Sequence, residues 1–176
     1  MVDLSTARQQ QVVASSPLLR QLPPASRLVL RGGPQVLVVA ADTLGLQHNE
    51  TPCRAVRNDA RAALWLGPDE RLLIGPAEAA REIEGLLQRA LAGMAHSLVE
   101  ISHGQTAFEV RGARAAAALN IGCPLDLDPE SFPVDMCTRT VFAKAQVVLW
   151  RTDVETFRVE TARSFAPYVT KILALA

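Results

Sequence analysis

Lysine, cysteine, net charge and long apolar runs are all scarce in this chain of 176 residues. Its three cysteines, Cys53, Cys123 and Cys137, are an odd number without Cys-x-x-Cys spacing. That disfavours a disulfide framework or a thiolate zinc site and leads to the expectation of a reduced, cytoplasmic chain. The longest apolar run, Val36 to Ala41, is six residues and too short to span a bilayer. The start, Met-Val-Asp, lacks a basic segment followed by an apolar one, so neither export nor membrane insertion is expected. Lys+Arg 18 balance Asp+Glu 18, without the basic excess that a nucleic-acid or anionic-membrane binder carries.

Several kinds of chemistry are also missing. Arg31-Gly32-Gly33-Pro34 lacks the glycine pattern of a phosphate loop, and its proline removes a donor, so a plain turn is the expected role. No dinucleotide fingerprint indicates FAD or NAD. His48, His96 and His103 have no metal-ligand spacing. His103 suits a general base by its ordinary pKa, and Cys123 or Cys137 could serve as its nucleophile by residue type, but no motif supports either role.

What is present is a core and a repeat. Hydrophobic residues are 49% and charged residues 20%, values of a globular chain, whose length fits one domain or two small lobes. Leu64-Trp65-Leu66-Gly67-Pro68-Asp69-Glu70-Arg71-Leu72-Leu73-Ile74 aligns without a gap, at an offset of 85, with Leu149-Trp150-Arg151-Thr152-Asp153-Val154-Glu155-Thr156-Phe157-Arg158-Val159. Both read as strand, turn, strand. The same offset carries Ala80, Ile83 and Leu87 onto Phe165, Tyr168 and Ile172, one apolar helix face in each copy. Leu28-Val29-Leu30-Arg31-Gly32 matches Phe108-Glu109-Val110-Arg111-Gly112 at an offset of 80. Each half therefore reads strand, helix, strand, strand, helix.

Helices are expected at about Ala77 to Leu91, Ala113 to Asn120 and Phe165 to Leu175, the last with Ser164 as N-cap. Val36-Leu37-Val38-Val39 looks like a strand by β-branching, yet its repeat partner is the Ala-rich helix, and the repeat predicts helix. His96 to Ser102 should be a strand joining the halves and able to pair into either sheet, with Gly104 turning a hairpin into Thr106 to Arg111. Residues 1–25, rich in Gln, Ser and Pro, read as an arm, loose or laid along a partner. Residues 26–176 read as one compact unit of two related halves, about 26–103 and 104–176.

The outstanding feature is the loop from Gly122 to Asp135. It has 14 residues with three prolines, four acids, no bases, and the apolar Leu125, Leu127, Phe132 and Val134. Such a loop either covers one end of the core, through Leu125 and Phe132, or docks another subunit. The chain also holds 16 arginines and two lysines, a bias that interface contacts or genome composition can produce. The strand pair around Arg139 and Arg151 would face a charged partner or form a solvated sheet face. The partner-interface candidates are thus Cys123, Pro124, Leu125, Asp126, Phe132, Arg139 and Arg151.

Gly122-Cys123-Pro124-Leu125-Asp126-Leu127, Phe132-Pro133, Met136-Cys137-Thr138-Arg139-Thr140, Lys144-Ala145, Val148-Leu149-Trp150-Arg151 and Arg163-Ser164-Phe165-Ala166-Pro167-Tyr168 closely resemble the gamma subunit of heterotetrameric sarcosine oxidase. So does Ala63-Leu64-Trp65-Leu66-Gly67-Pro68-Asp69-Glu70; the resemblance is good from about Arg61 onward and weak before it. It implies a structural subunit without catalytic groups, in a complex that demethylates sarcosine to glycine with hydrogen peroxide and a one-carbon unit. Alpha, beta and delta subunits would hold FAD, FMN, NAD, folate and zinc, and this chain none. The family is similar in fold to the aminomethyltransferase of glycine cleavage, which implies an α+β fold of duplicated ferredoxin-like halves, with antiparallel sheets and helices on one face. In those enzymes an acid assists transfer to folate; here that corner reads Cys123-Pro124, and Asp126 is two residues off register. Folate-dependent one-carbon transfer, or a small-molecule regulatory module of paired ferredoxin-like lobes, are the alternatives.

Overall fold

Strict alternation in Arg27-Leu28-Val29-Leu30-Arg31 sends Leu28 and Leu30 to one side of a strand and Arg27 and Val29 to the other. The computed structural model describes residues 18–175 and uses both sides. Leu28 and Leu30 enter a core beneath helices, while Val29 packs against a separate cluster shared by two sheets.

The first half runs β2 (Ala25–Gly32), α1 (Pro34–Thr43), β3 (Ala55–Arg57), β4 (Ala62–Gly67), β5 (Glu70–Pro76), α2 (Ala80–Ala90) and β6 (His96–Glu100). The second runs β7 (Gln105–Arg111), α3 (Ala115–Asn120), β8 (Cys137–Phe142), β9 (Ala145–Asp153), β10 (Thr156–Ala162) and α4 (Ala166–Leu173). One sheet has the order β3-β4-β5-β2-β6, and the other β1-β7-β10-β9-β8, where β1 is Leu19–Gln21. Every pairing is antiparallel. With β2, β4 and β5 matched to β7, β9 and β10, β1 occupies in the second sheet the place that β6 holds in the first. The sheet of the second half is completed from the opposite end of the chain.

Each sheet carries its two helices on one face. Val36, Leu37, Ile83 and Leu87 cover the first, and Ala115, Leu119, Val169 and Leu173 the second. Between the other faces lie Leu64, Leu72, Ile74, Cys137 and Trp150. The sheets are further tied where Cys137 N donates to Cys53 O and Ala55 N to Asp135 O, each at 2.8 Å.

The repeat correctly gave helix for Val36-Leu37-Val38-Val39. Pro34 opens α1, and burial of one face outweighs the modest propensity cost of valine. Its end is a Schellman turn, in which Leu46 N donates to Ala41 O and Gly45 N to Asp42 O, with Gly45 at φ 66°, a glycine conformation. Gly32 has a packing role: a Cβ there would lie 2.5 Å from Val36 Cγ1, so glycine lets α1 sit close on β2.

Other expectations need correction. Among the described residues β6 pairs with β2 alone, and Gly104 turns no hairpin. Ser102–Gly104 is a 3-10 turn that leads the chain into the other sheet, with Arg27 N held by Ser102 Oγ at 2.8 Å. Residues 1–17 of the expected arm lie outside the described residues, but Leu19–Gln21 is not loose: it pairs with β7 and buries Leu19 in the core. The N-cap of α4 is Phe165, without a side-chain bond, and Ser164 lies in a preceding 3-10 turn. The deepest residues of α4 are Val169 and Leu173, one position beyond the face expected from the repeat, and Phe165 is exposed. The hairpins differ as well. Trp65 pairs with Arg71 but Trp150 with Arg158, an even change in spacing that keeps each side chain on its proper face.

Candidate functional site

The 122–135 loop is an ordered turn system built on its acids. The Asn120 side-chain nitrogen donates to the carbonyls of Cys123 at 3.2 Å and Leu125 at 2.6 Å as the chain leaves α3. Asp126 Oδ1 accepts from Asp128 N at 3.0 Å and Oδ2 from Ser131 Oγ at 2.8 Å, and these two bonds hold its carboxyl below its ordinary pKa. Asp128 Oδ1 accepts from Glu130 N, and Asp128 O from Phe132 N. This local bonding supplies backbone donors with partners in a segment whose prolines have none to offer.

Beneath it sits Arg151 on β9. Its Nη1 donates to Phe132 O at 2.8 Å and its Nη2 to Leu127 O at 2.9 Å, while the guanidinium lies 4.5 Å from the centre of the Phe157 ring. Burial lowers the Arg151 pKa, and the charge of Asp128 opposes the change. Phe132 packs on Phe157 with ring centres 6.3 Å apart.

The interface candidates therefore separate. Cys123, Phe132 and Arg151 are only 5%, 1% and 2% exposed and are internal, which corrects their assignment to a partner surface. The loop covers the core, as one of its two readings held, and Arg151 fastens it. Leu125 is half-buried against the same core, while Pro124 and Asp126 stand at the surface. Arg139 on β8 crosses to the other sheet, where its Nη2 meets Glu70 Oε1 at 2.8 Å.

The residues considered for catalysis are not assembled. Cys123 belongs to the core under the loop, Cys137 to the layer between sheets, and His103 to the 3-10 turn after β6. Burial pushes the Cys137 thiol up to about 12, unsuited to a nucleophile. Both oxygens of Asp126 are engaged within its own loop. Among the described residues no group of three or more His, Cys, Asp or Glu could hold a metal ion. No described helix is long and apolar enough to cross a membrane.

Sequence reading missed two features. One is the ionic layer between the sheets. Arg27 Nε lies 2.6 Å from Glu160 Oε2, both side chains being 2% exposed, and Arg158 Nε meets the other oxygen at 2.7 Å. Glu70 is likewise shared by Arg31 and Arg139. Arginines flanking the apolar centre of β2 were the available signal. The second feature is a cleft of about 1240 Å³ between α2 and α4, reached by the ends of β1 and β6. Its residues come from four separate stretches of sequence, which no local motif records.

The paired ferredoxin-like halves place the molecule in the aminomethyltransferase-like fold class. Aminomethyltransferase T of the glycine cleavage system from Bartonella henselae superposes with a TM-score of 0.67 at 13% identity, over 88% of this chain and 44% of that one. At that identity the likeness concerns the fold alone. The regulatory subunit of aspartate kinase from Thermus flavus has the same kind of architecture, at a TM-score of 0.53 and 12% identity over 90% of this chain and 95% of that one. A chain of heterotetrameric sarcosine oxidase from Corynebacterium sp. U-96, in complex with pyrrole 2-carboxylate, matches at a TM-score of 0.81 and 29% identity, covering 88% of this chain and 80% of that one. The sarcosine oxidase subunit gamma of Arthrobacter sp. is 31% identical over 160 residues, 89% of this chain and 77% of its own length. The family profile described as sarcosine oxidase, gamma subunit family, matches residues 32–176, and the chain belongs to that family.

Proposed function

We propose that this chain is a structural and assembly subunit, without catalytic groups of its own, of a cytoplasmic heterotetrameric sarcosine oxidase. The complex would oxidatively demethylate sarcosine to glycine, releasing hydrogen peroxide and a one-carbon unit. Its alpha, beta and delta subunits would hold the flavins, NAD, folate and zinc. The observation that carries this reading is the match of residues 32–176 to the gamma family, combined with an outstanding loop in which Asp126, Asp128 and the carbonyls of Leu127 and Phe132 are bonded within the fold of this chain. A loop fastened by a buried arginine presents a fixed surface, which suits assembly. Electron chemistry belongs to the flavins and their own subunits.

The test is coexpression with the three other subunits and purification through a tag on this chain. The expected result is a stoichiometric complex with a flavin absorption spectrum and sarcosine-dependent peroxide formation, while the isolated chain is colourless. Isothermal titration of the isolated chain with tetrahydrofolate should give no binding heat. A colourless monomer that recovers no subunit, or tight folate binding by this chain alone, would overturn the proposal. Activity toward other N-methyl amino acids in the same preparation defines the substrate.

A further inference from the structure

We infer that the cleft between α2 and α4 is the docking site for an acidic chain segment of another subunit of the same complex; this rests on the assembly role proposed above. At about 1240 Å³ it exceeds the ~300–1,000 Å³ of small-molecule pockets, and one side is open to solvent, a form suited to a length of polypeptide. Its charged lining is predominantly basic, with Arg27, Arg81, Arg163 and Lys171 against Glu84 and Glu100.

The cations differ in their commitments. Arg27 is paired with Glu160, but Glu160 also receives Arg158, so this buried group carries one excess positive charge behind the cleft. Arg81, Arg163 and Lys171 are exposed and make no ion pair among the described residues. The acids are more constrained. Glu100 accepts from Ser102 N, and Glu84 from the Gln88 side chain. In a chain of zero net charge, three cations without an ion pair among the described residues, on α2, on α4 and in the 3-10 turn before α4, give one cleft a local positive field. Charge complementarity then selects an acidic occupant. Among the described residues β1 and β6 are edge strands of their sheets, and both reach the cleft, where edge backbone groups could meet an extended segment.

The test uses the assembled complex. R81E/R163E/K171E, all surface changes, should fold with unchanged circular dichroism yet bind the remaining subunits about tenfold more weakly at low salt, with a shallower dependence on ionic strength than wild type. R89E, on α2 but outside the cleft, should bind as wild type does. A photocrosslinking residue at Thr170 should join a peptide of another subunit rich in Asp and Glu, identified by mass spectrometry. If wild type assembles and the triple variant assembles equally well at every salt concentration, the inference is overturned while the assembly role stands. A crosslink to residues 1–17 of the same chain would overturn it equally. Failure of wild type to assemble would remove both.

Discussion

Arg27 on β2 and Glu160 on β10 form a buried ion pair at 2.6 Å that joins the two sheets across their shared layer. Glu160 is also the acceptor for Arg158, so one carboxylate compensates two guanidinium groups. Glu160→Gln keeps the shape and removes the charge. It should destabilise the protein by about 3–5 kcal/mol, the usual cost of orphaning a buried charge. For a chain of this length that is a fall in Tm on the order of 10 °C. Arg27→Met added to Glu160→Gln removes one orphaned charge and should recover part of the loss. Thermal unfolding of the two single variants and the double variant checks this; additive losses would show that the pair is not coupled.

Arg151 makes a second, more local prediction. Among the described residues its side chain makes two hydrogen bonds, and both end on the 122–135 loop. Arg151→Lys retains the charge but cannot present the planar fork to Phe132 O and Leu127 O together. The expected cost is about 1.5–3 kcal/mol for the lost charge-assisted bond. Amide hydrogen exchange should accelerate in the loop and remain slow in β2 and α1. Unchanged loop protection would mean that Phe132 and Leu127 hold the segment without the arginine.

These two arginines also mark where sequence was legible and where it was not. The repeat was visible because alternation and helical spacing survive in single short windows, such as Leu64 to Ile74, and it correctly overrode the strand-like look of Val36-Leu37-Val38-Val39. The loop's dual character was visible in Leu125 and Phe132, but its anchor was not. Arg151 stands in a strand before the polar Thr152 and Asp153, and the continuation of the β8–β9 ladder, in which Asp135 N donates to Arg151 O and Arg151 N to Met136 O, brings it beside the loop that carries Leu127 and Phe132. Leu19–Gln21 was similarly hidden: three residues lack a measurable period, and their partner β7 is about 90 positions away. Arg27 and Glu160 are 133 positions apart, and nothing in either local sequence announces the other.

The thiols should divide by burial. Cys137 is fully enclosed between the sheets with its pKa pushed up to about 12, and Cys123 is 5% exposed under the loop. Cys53 is only half-buried, at the crossing from the 44–54 segment into β3. A thiolate-directed reagent at pH 8 should therefore titrate one thiol quickly in the native protein and three after denaturation. Rapid native reaction of a second thiol would show that one of the enclosed sites opens readily.

Glu70 gives the fold a pH dependence of definite sign. Burial by itself raises its pKa, but the hydrogen bonds and positive charges of Arg139 and Arg31 prevail and hold the carboxyl below its ordinary 4.5. A folded-state pKa below the unfolded one means that the unfolded chain binds the proton more readily. The stabilisation is thus complete above about 4.5 and is lost as pH falls through the lowered folded value. Because Arg139 lies on β8 and Glu70 on β5, what is lost is a connection between the sheets. Glu70→Gln should be less stable than wild type at neutral pH, with the difference constant down to about pH 5.5 and shrinking below 4.5. Urea unfolding of both proteins across that range measures the convergence. Parallel curves down to strongly acidic pH would show that the charge of Glu70 does not stabilise the connection between the sheets.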